Sequence, residues 1–122
     1  MRILVIDHDS TQIDLLTQVL RGEGHEVLAA TSAPLALIAT HQGMPDAVFT
    51  DLYLSGPDGL DLCDRMRAMG AIGDVPIIVI SSSDSEIDQQ RARKAGALAF
   101  LVKPIDANDV RAVVQGLVTL CA

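Results

Sequence analysis

Aromatic residues are scarce: the chain has two phenylalanines, Phe49 and Phe100, one tyrosine, Tyr53, and no tryptophan. That is too few to stack the bases of a single-stranded nucleic acid. Cations are also in short supply, with 9 Lys and Arg against 16 Asp and Glu, for a formal charge of −7. The deficit argues against direct nucleic-acid binding, which needs clustered Lys and Arg to displace counterions. No apolar run approaches the roughly 20 residues that span a bilayer. The opening Met1-Arg2-Ile3-Leu4-Val5-Ile6 is cut off by Asp7, short of a signal-peptide core of about 7–15 residues. The expectation is a cytoplasmic protein with no membrane partner, whose cysteines stay reduced. Cys63 and Cys121 lie far apart without metal-ligand spacing and read as packing residues.

What is present is globular. Apolar residues make up 49 % of 122 and charged residues 20 %, which fits a single domain over 1–122 that folds without a disulfide or metal staple. Short apolar runs alternate with longer amphipathic ones. Ile3–Asp7, Val27–Ala30, Ala47–Thr50, Val75–Ser81 and Leu98–Val102 read as strands. Ile77-Ile78-Val79-Ile80 has no polar alternation, so both its faces should be buried, as in a parallel sheet covered by helices on each side.

Five helices are expected between and after these runs. The first carries Ile13, Leu16 and Leu20, capped by Asp9 or Ser10 and stopped at Gly22. The second runs from the Ser32 cap through Leu35 and Ile38 to Gly43, and the third packs Leu62, Met66 and Met69 and ends at Gly70. The fourth, Ser85–Ala95, is nearly all polar, with Ile87, Ala92 and Ala95 as anchors. The last starts at Asp106 and packs Val110, Val113, Val114, Leu117 and Leu120. The order is (βα)5, an α/β doubly wound sheet of five parallel strands, and such folds place their sites beyond the carboxyl ends of the strands.

Those ends are chemically rich. The first gives Asp7-His8-Asp9, the third Asp51, the fourth Ser81 and the fifth Lys103-Pro104. Crowded carboxylates demand a cation. A hard divalent ion such as Mg²⁺ meets that need and leaves positions open for phosphate oxygens. With a lysine and a hydroxyl beside them, the residues point to phosphoryl transfer with an aspartate as nucleophile.

Four segments in order resemble the receiver domain of two-component response regulators, of the chemotaxis-type single-domain kind: Ile3-Leu4-Val5-Ile6-Asp7-His8-Asp9, Asp51 through Leu60, Pro76 through Ser82, and Phe100-Leu101-Val102-Lys103-Pro104. The resemblance implies a flavodoxin-like sheet with strand order 2-1-3-4-5. It implies that Asp51 accepts a phosphoryl group from the phosphohistidine of a histidine kinase or phosphotransfer protein. Asp7, Asp51 and the backbone carbonyl of Tyr53 would hold Mg²⁺, and Lys103 would pair with the phosphoryl oxygens across a cis bond to Pro104. Ser81 and Phe100 would switch together and reshape the surface of helix four, strand five and helix five. A downstream protein target, an output domain missing from this sequence, or a second copy of the chain would read that surface. The protein would assist its own phosphorylation and dephosphorylation without turning over a separate substrate.

Two positions depart from the pattern. His8 stands where the family usually has a second metal-binding carboxylate, and imidazole is a poor Mg²⁺ ligand. Mg²⁺ is therefore expected to bind weakly unless Asp9 compensates. Ser55 replaces the usual proline and should loosen its loop. Two rival readings stay open: a receiver-like interaction module that no longer uses phosphate, or a phosphatase of the haloacid-dehalogenase type. For the latter, Asp7-His8-Asp9-Ser10-Thr11 resembles the Asp-x-Asp-x-Thr motif, with Asp7 as nucleophile. Too little chain lies beyond Lys103 for that family's last acidic motif, and Asp51 is left without a role.

Overall fold

The computed structural model describes residues 1–54, 56 and 58–121, with the side chains of residues 120 and 121 left aside. The expectations for Ser55, Leu120 and Cys121, and Pro57 of the resemblance, thus lie outside the described residues. Five strands, β1 (Arg2–Ile6), β2 (Glu26–Ala30), β3 (Ala47–Asp51), β4 (Ile77–Ser81) and β5 (Ala99–Val102), alternate with helices. The helices are α1 (Ser10–Gly22), α2 (Ala33–Thr40), α3 (Gly59–Ala68), α4 (Glu86–Lys94) and α5 (Ala107–Cys121). All strand pairs are parallel, in the order β2-β1-β3-β4-β5.

Side chains alternate across a strand, and here both sets are apolar. Leu4, Ile6, Val48, Ile77 and Val79 belong to one core, closed by Ala33, Ala36 and Ala39 of α2, Leu62 and Met66 of α3, and Ala92 of α4. Ile3, Val5, Phe49, Ile78 and Ile80 belong to the other, closed by Leu16 and Leu20 of α1 and Val110, Val114 and Leu117 of α5. Every residue of β3 and β4 is buried. The sheet is thus a stiff partition between two dry cores.

Several local expectations are corrected. β4 begins at Ile77 and not Val75; Pro76 has no N–H to donate to the ladder and contributes only its carbonyl, to Val48 N–H. β5 begins one residue after Leu98, Asp7 falls just beyond β1, and Asp51 closes β3. In α2 the side chains facing the sheet are Ala33, Ala36 and Ala39, whose small size lets the helix lie close, while Leu35 and Ile38 face outward. Met69 caps the C-terminus of α3 and is exposed, as is Ile87 of α4. Neither is core. α1 ends at Gly22, as expected, with Glu23 as its C-cap; the chain then closes at Gly24, whose φ is +87°, and His25 N–H reaches back to Leu20 O, a left-handed turn that glycine makes without strain.

Candidate functional site

The register brings the strand ends level. Ile6 pairs with Thr50, Asp51 with Ile80, and Ser81 with Val102. Asp7, Asp51, Ser81 and Lys103 therefore stand at one rim of the sheet, the positions that strand-end reading singles out. Asp7 and Ser81 are fully buried and Asp51 nearly so.

Each group is held in place by its own turn. Asp7 Oδ1 accepts a hydrogen bond from Asp9 N–H at 2.9 Å. Asp51 Oδ1 accepts one from Tyr53 N–H at 3.3 Å. Lys103 Nζ donates to Asp51 Oδ2 at 3.2 Å and lies 2.9 Å from Asp7 Oδ2. The Lys103–Pro104 peptide is cis. Ser81 Oγ accepts from Ser83 N–H at 3.0 Å, which turns the chain toward α4.

His8 joins this cluster and Asp9 does not. His8 Nδ1 is 3.1 Å from Asp51 Oδ2 and 3.6 Å from Asp7 Oδ1. Asp7, His8 and Asp51 each offer a ligand atom within 4.8 Å of the others. Asp9 is the N-cap of α1, its carboxylate taking Thr11 N–H at 2.9 Å. That settles the choice between Asp9 and Ser10 as cap.

Burial pushes the Asp51 carboxyl above its ordinary range, and Asp7 beside it adds to the push; Lys103 and Tyr53 N–H hold it back only in part. Burial lowers Lys103, but its contacts with Asp7 and Asp51 outweigh that loss and leave the ammonium above its ordinary value. The site is thus a compressed pair of carboxylates clamped by one lysine. Such a site holds an oxygen nucleophile beside a fixed positive charge, as attack on a phosphoryl group requires.

The donor set partly fits a hard divalent ion. Two carboxylates are present, and Asp7 Oδ2 is buried with no aligned hydrogen-bond donor among the described residues. That oxygen faces the Lys103 ammonium at 2.9 Å, so an ion bound there would share it with the lysine. The third donor, the His8 nitrogen, does not fit Mg²⁺.

A second group of residues is not legible in the sequence. Tyr53 Oη donates to Asp88 Oδ1 on α4 at 2.6 Å. Arg91, one turn along the same helix, pairs with Asp58 at 2.5 Å. Asp58 is itself the N-cap of α3. The loop after Asp51 is thereby fastened to α4 through these polar contacts. The hydrogen bond to Asp88 holds the Tyr53 phenol above its ordinary pKa, and the same bond holds Asp88 below the usual carboxylate range. Asp88 and Arg91 sit three apart on a mostly polar helix, which reads as a solvated face; nothing in their spacing points to a tyrosine 35 residues away.

Gly59 has a specific task. A Cβ there would collide with the carbonyl oxygen of Asp51 and with Thr50 Oγ1, so only glycine lets the start of α3 close over the end of β3. Phe100, half-buried on β5, lines a cavity of about 220 Å³ with Gln89, Ala92 and Arg93 of α4. This leaves room for its ring to change position.

A doubly wound parallel sheet with an Asp-Asp-Lys rim at its strand ends defines a phosphoryl-handling domain of flavodoxin-like topology. Residues 3–115 match the response regulator receiver domain. The DNA-binding response regulator MtrA of Mycobacterium tuberculosis is 34 % identical over 114 residues, 93 % of this chain and 49 % of that protein. The sensory transduction protein RegX3 of the same organism is 32 % identical over 115 residues, 94 % of this chain and 49 % of that one. The chain spans about half the length of these curated relatives. The crystal structure of a response regulator from Chloroflexus aurantiacus superposes with a TM-score of 0.86 at 31 % identity, covering 97 % of both chains. A two-component response regulator from Clostridium difficile shares the fold with a TM-score of 0.89. The chain belongs to the response-regulator receiver domain family, the phosphoacceptor module of two-component signalling. The phosphatase reading of the opening motif falls away with that membership. Receiver domains interact with histidine kinases. Among the described residues no helix is long and apolar enough to cross a membrane.

Proposed function

We propose that Asp51 is the phosphoacceptor and that a histidine kinase or phosphotransfer protein is its donor. The observation that supports this most is the pairing of Asp51 Oδ2 with Lys103 at the buried end of β3. An Asp51 oxygen attacks the phosphorus of a phosphohistidine, the P–N bond breaks, and the imidazole leaves with the bonding pair. Lys103 then faces the new phosphoryl oxygens. Asp7, Asp51 and the Tyr53 carbonyl would hold Mg²⁺, which when bound neutralises charge on the transferring group. His8 weakens Mg²⁺ binding, and Asp9, spent on its cap, does not restore it.

The new dianion draws the Ser81 hydroxyl toward it, and Phe100 moves with it into the space beside α4. The surface of α4, β5 and α5 changes as a result. A downstream protein, an output domain or a second copy of the chain reads that surface. The proposed location of the reaction is the cytoplasm.

Intact mass after incubation with acetyl phosphate and Mg²⁺ tests the reading. One phosphoryl increment is expected, abolished in Asp51→Asn. An increment that survives in Asp51→Asn but is lost in Asp7→Asn assigns the nucleophile to Asp7 instead. No increment at any Mg²⁺ or Mn²⁺ concentration makes the protein a phosphate-independent interaction module.

A further inference from the structure

The cluster of Asp7, His8 and Asp51 has an unusual accounting of lone pairs. Asp7 Oδ1 is taken by Asp9 N–H and Asp51 Oδ1 by Tyr53 N–H. The remaining atoms of the cluster are Asp7 Oδ2, Asp51 Oδ2, which accepts from Lys103, and His8 Nδ1; an ion would share the two oxygens with that ammonium. Lys103 stands near both oxygens. Asp7 is wholly buried, and its Oδ2 has no aligned donor among the described residues. The His8 side chain is 52 % exposed, yet its Nδ1 is turned inward to within 3.1 Å of Asp51 Oδ2. A half-exposed imidazole with open solvent beside it gains from that orientation only by meeting charge.

The donors are therefore one nitrogen and two carboxylate oxygens. Mg²⁺ binds through oxygen and keeps its waters. Imidazole suits the borderline dications, and a mixed nitrogen and oxygen set favours them over Mg²⁺. We infer that this site selects a first-row transition-metal dication over Mg²⁺, with His8 Nδ1 as a direct ligand beside the carboxylates of Asp7 and Asp51. The inference deepens the phosphoacceptor reading of the same site by naming its ion, and it is read by binding alone.

The test uses Mn²⁺ as the probe, in the full chain. Electron paramagnetic resonance counts free Mn²⁺ during titration, and Mg²⁺ competition gives the ratio of affinities. Electron spin-echo modulation shows whether a nitrogen nucleus is bound to the metal. The wild type is expected to show nitrogen modulation and to prefer Mn²⁺ by at least about tenfold. His8→Ala should lower Mn²⁺ affinity at least about tenfold, the loss that even outer partners of a metal site cause. His8→Asp should abolish the nitrogen modulation and shift the preference toward Mg²⁺. His8 is exposed enough for both variants to fold, and circular dichroism with a thermal melt verifies it.

Absence of nitrogen modulation in the wild type overturns the inference. So does an unchanged Mn²⁺-to-Mg²⁺ ratio in His8→Asp, or no Mn²⁺ binding at all. These outcomes are independent of phosphorylation. A chain that takes phosphate on Asp51 but shows no nitrogen ligand loses only this inference. A chain that binds Mn²⁺ through nitrogen but takes no phosphate loses only the phosphoacceptor reading.

Discussion

Tyr53, two residues beyond Asp51, donates its phenolic hydrogen to Asp88 Oδ1 across 2.6 Å and so joins the loop after Asp51 to α4. The chain has one tyrosine and no tryptophan, so ultraviolet absorbance of the phenolate reads this bond alone. Ionisation destroys the donor while Asp88 keeps its charge. Tyr53 should therefore titrate above its ordinary 10.0. Because the folded value is raised, the stability linked to it is complete below that ordinary value and is lost as pH climbs through the folded one. Asp88→Asn should move the titration back toward the ordinary value. Tyr53→Phe should speed hydrogen exchange in α4 while leaving β3 and β4 protected. An unshifted titration in the wild type would show that the bond does not form in solution.

Asp51 is strained for function. Its carboxyl is raised by burial and by Asp7; its share of stability is complete below the ordinary carboxylate value and lost as pH rises through the folded one. At neutral pH the ionised group is a burden. Asp51→Asn removes it while Asp7 still faces Lys103. In metal-free buffer the variant should be more stable by about 0.5–2 kcal/mol, the range that single stabilising substitutions commonly reach. Urea unfolding at neutral pH measures it, and a less stable variant would refute the account.

Two glycines should respond with opposite signs. Gly59→Ala forces a methyl against the Asp51 carbonyl and should cost about 1–3 kcal/mol, as overpacking does, with slower phosphorylation. Gly116→Ala, in the middle of α5 with nothing near the new methyl, should stabilise by about 0.5–1 kcal/mol through backbone entropy. Thermal melts of the two variants decide. Equal effects would remove the special role assigned to Gly59.

Burial pushes the Cys63 thiol up to about 12, and the residue is almost wholly covered. The thiolate is the reactive form, so Cys63 should resist iodoacetamide at mildly alkaline pH until the protein unfolds. A Cys121→Ser variant makes the count unambiguous. Rapid labelling of the native variant would contradict the packing.

The sheet order and the rim are legible in the sequence because they depend on long apolar runs and on the polar residues that end them. Ile77–Ile80 reads as a buried strand from composition alone, and Asp7, Asp51, Ser81 and Lys103 are fixed by strand ends. The helices are less legible where size rather than polarity decides the packed face. α2 turns alanines inward and Leu35 and Ile38 outward, because the nearer approach of small residues outweighs the burial of larger ones. Ile87, an anchor by hydropathy, faces solvent, and Asp88 and Ala92 take the buried positions of α4. Tyr53 and Asp88 meet only because the fold brings the loop after β3 beside α4. Asp9 is open by sequence between a cap and a metal ligand, and local backbone geometry chooses the cap.

Among the described residues α4 buries only Ala92 and Asp88, while β3 and β4 are covered along their whole length. Hydrophobic attachment and polar attachment have different futures under mutation. A lineage that changes charged residues on α4, at Asp58 or at Tyr53 retunes how the helix sits without opening a cavity or disturbing strand register. The surface that α4 presents is thus free to change while the rim residues stay where the sheet put them.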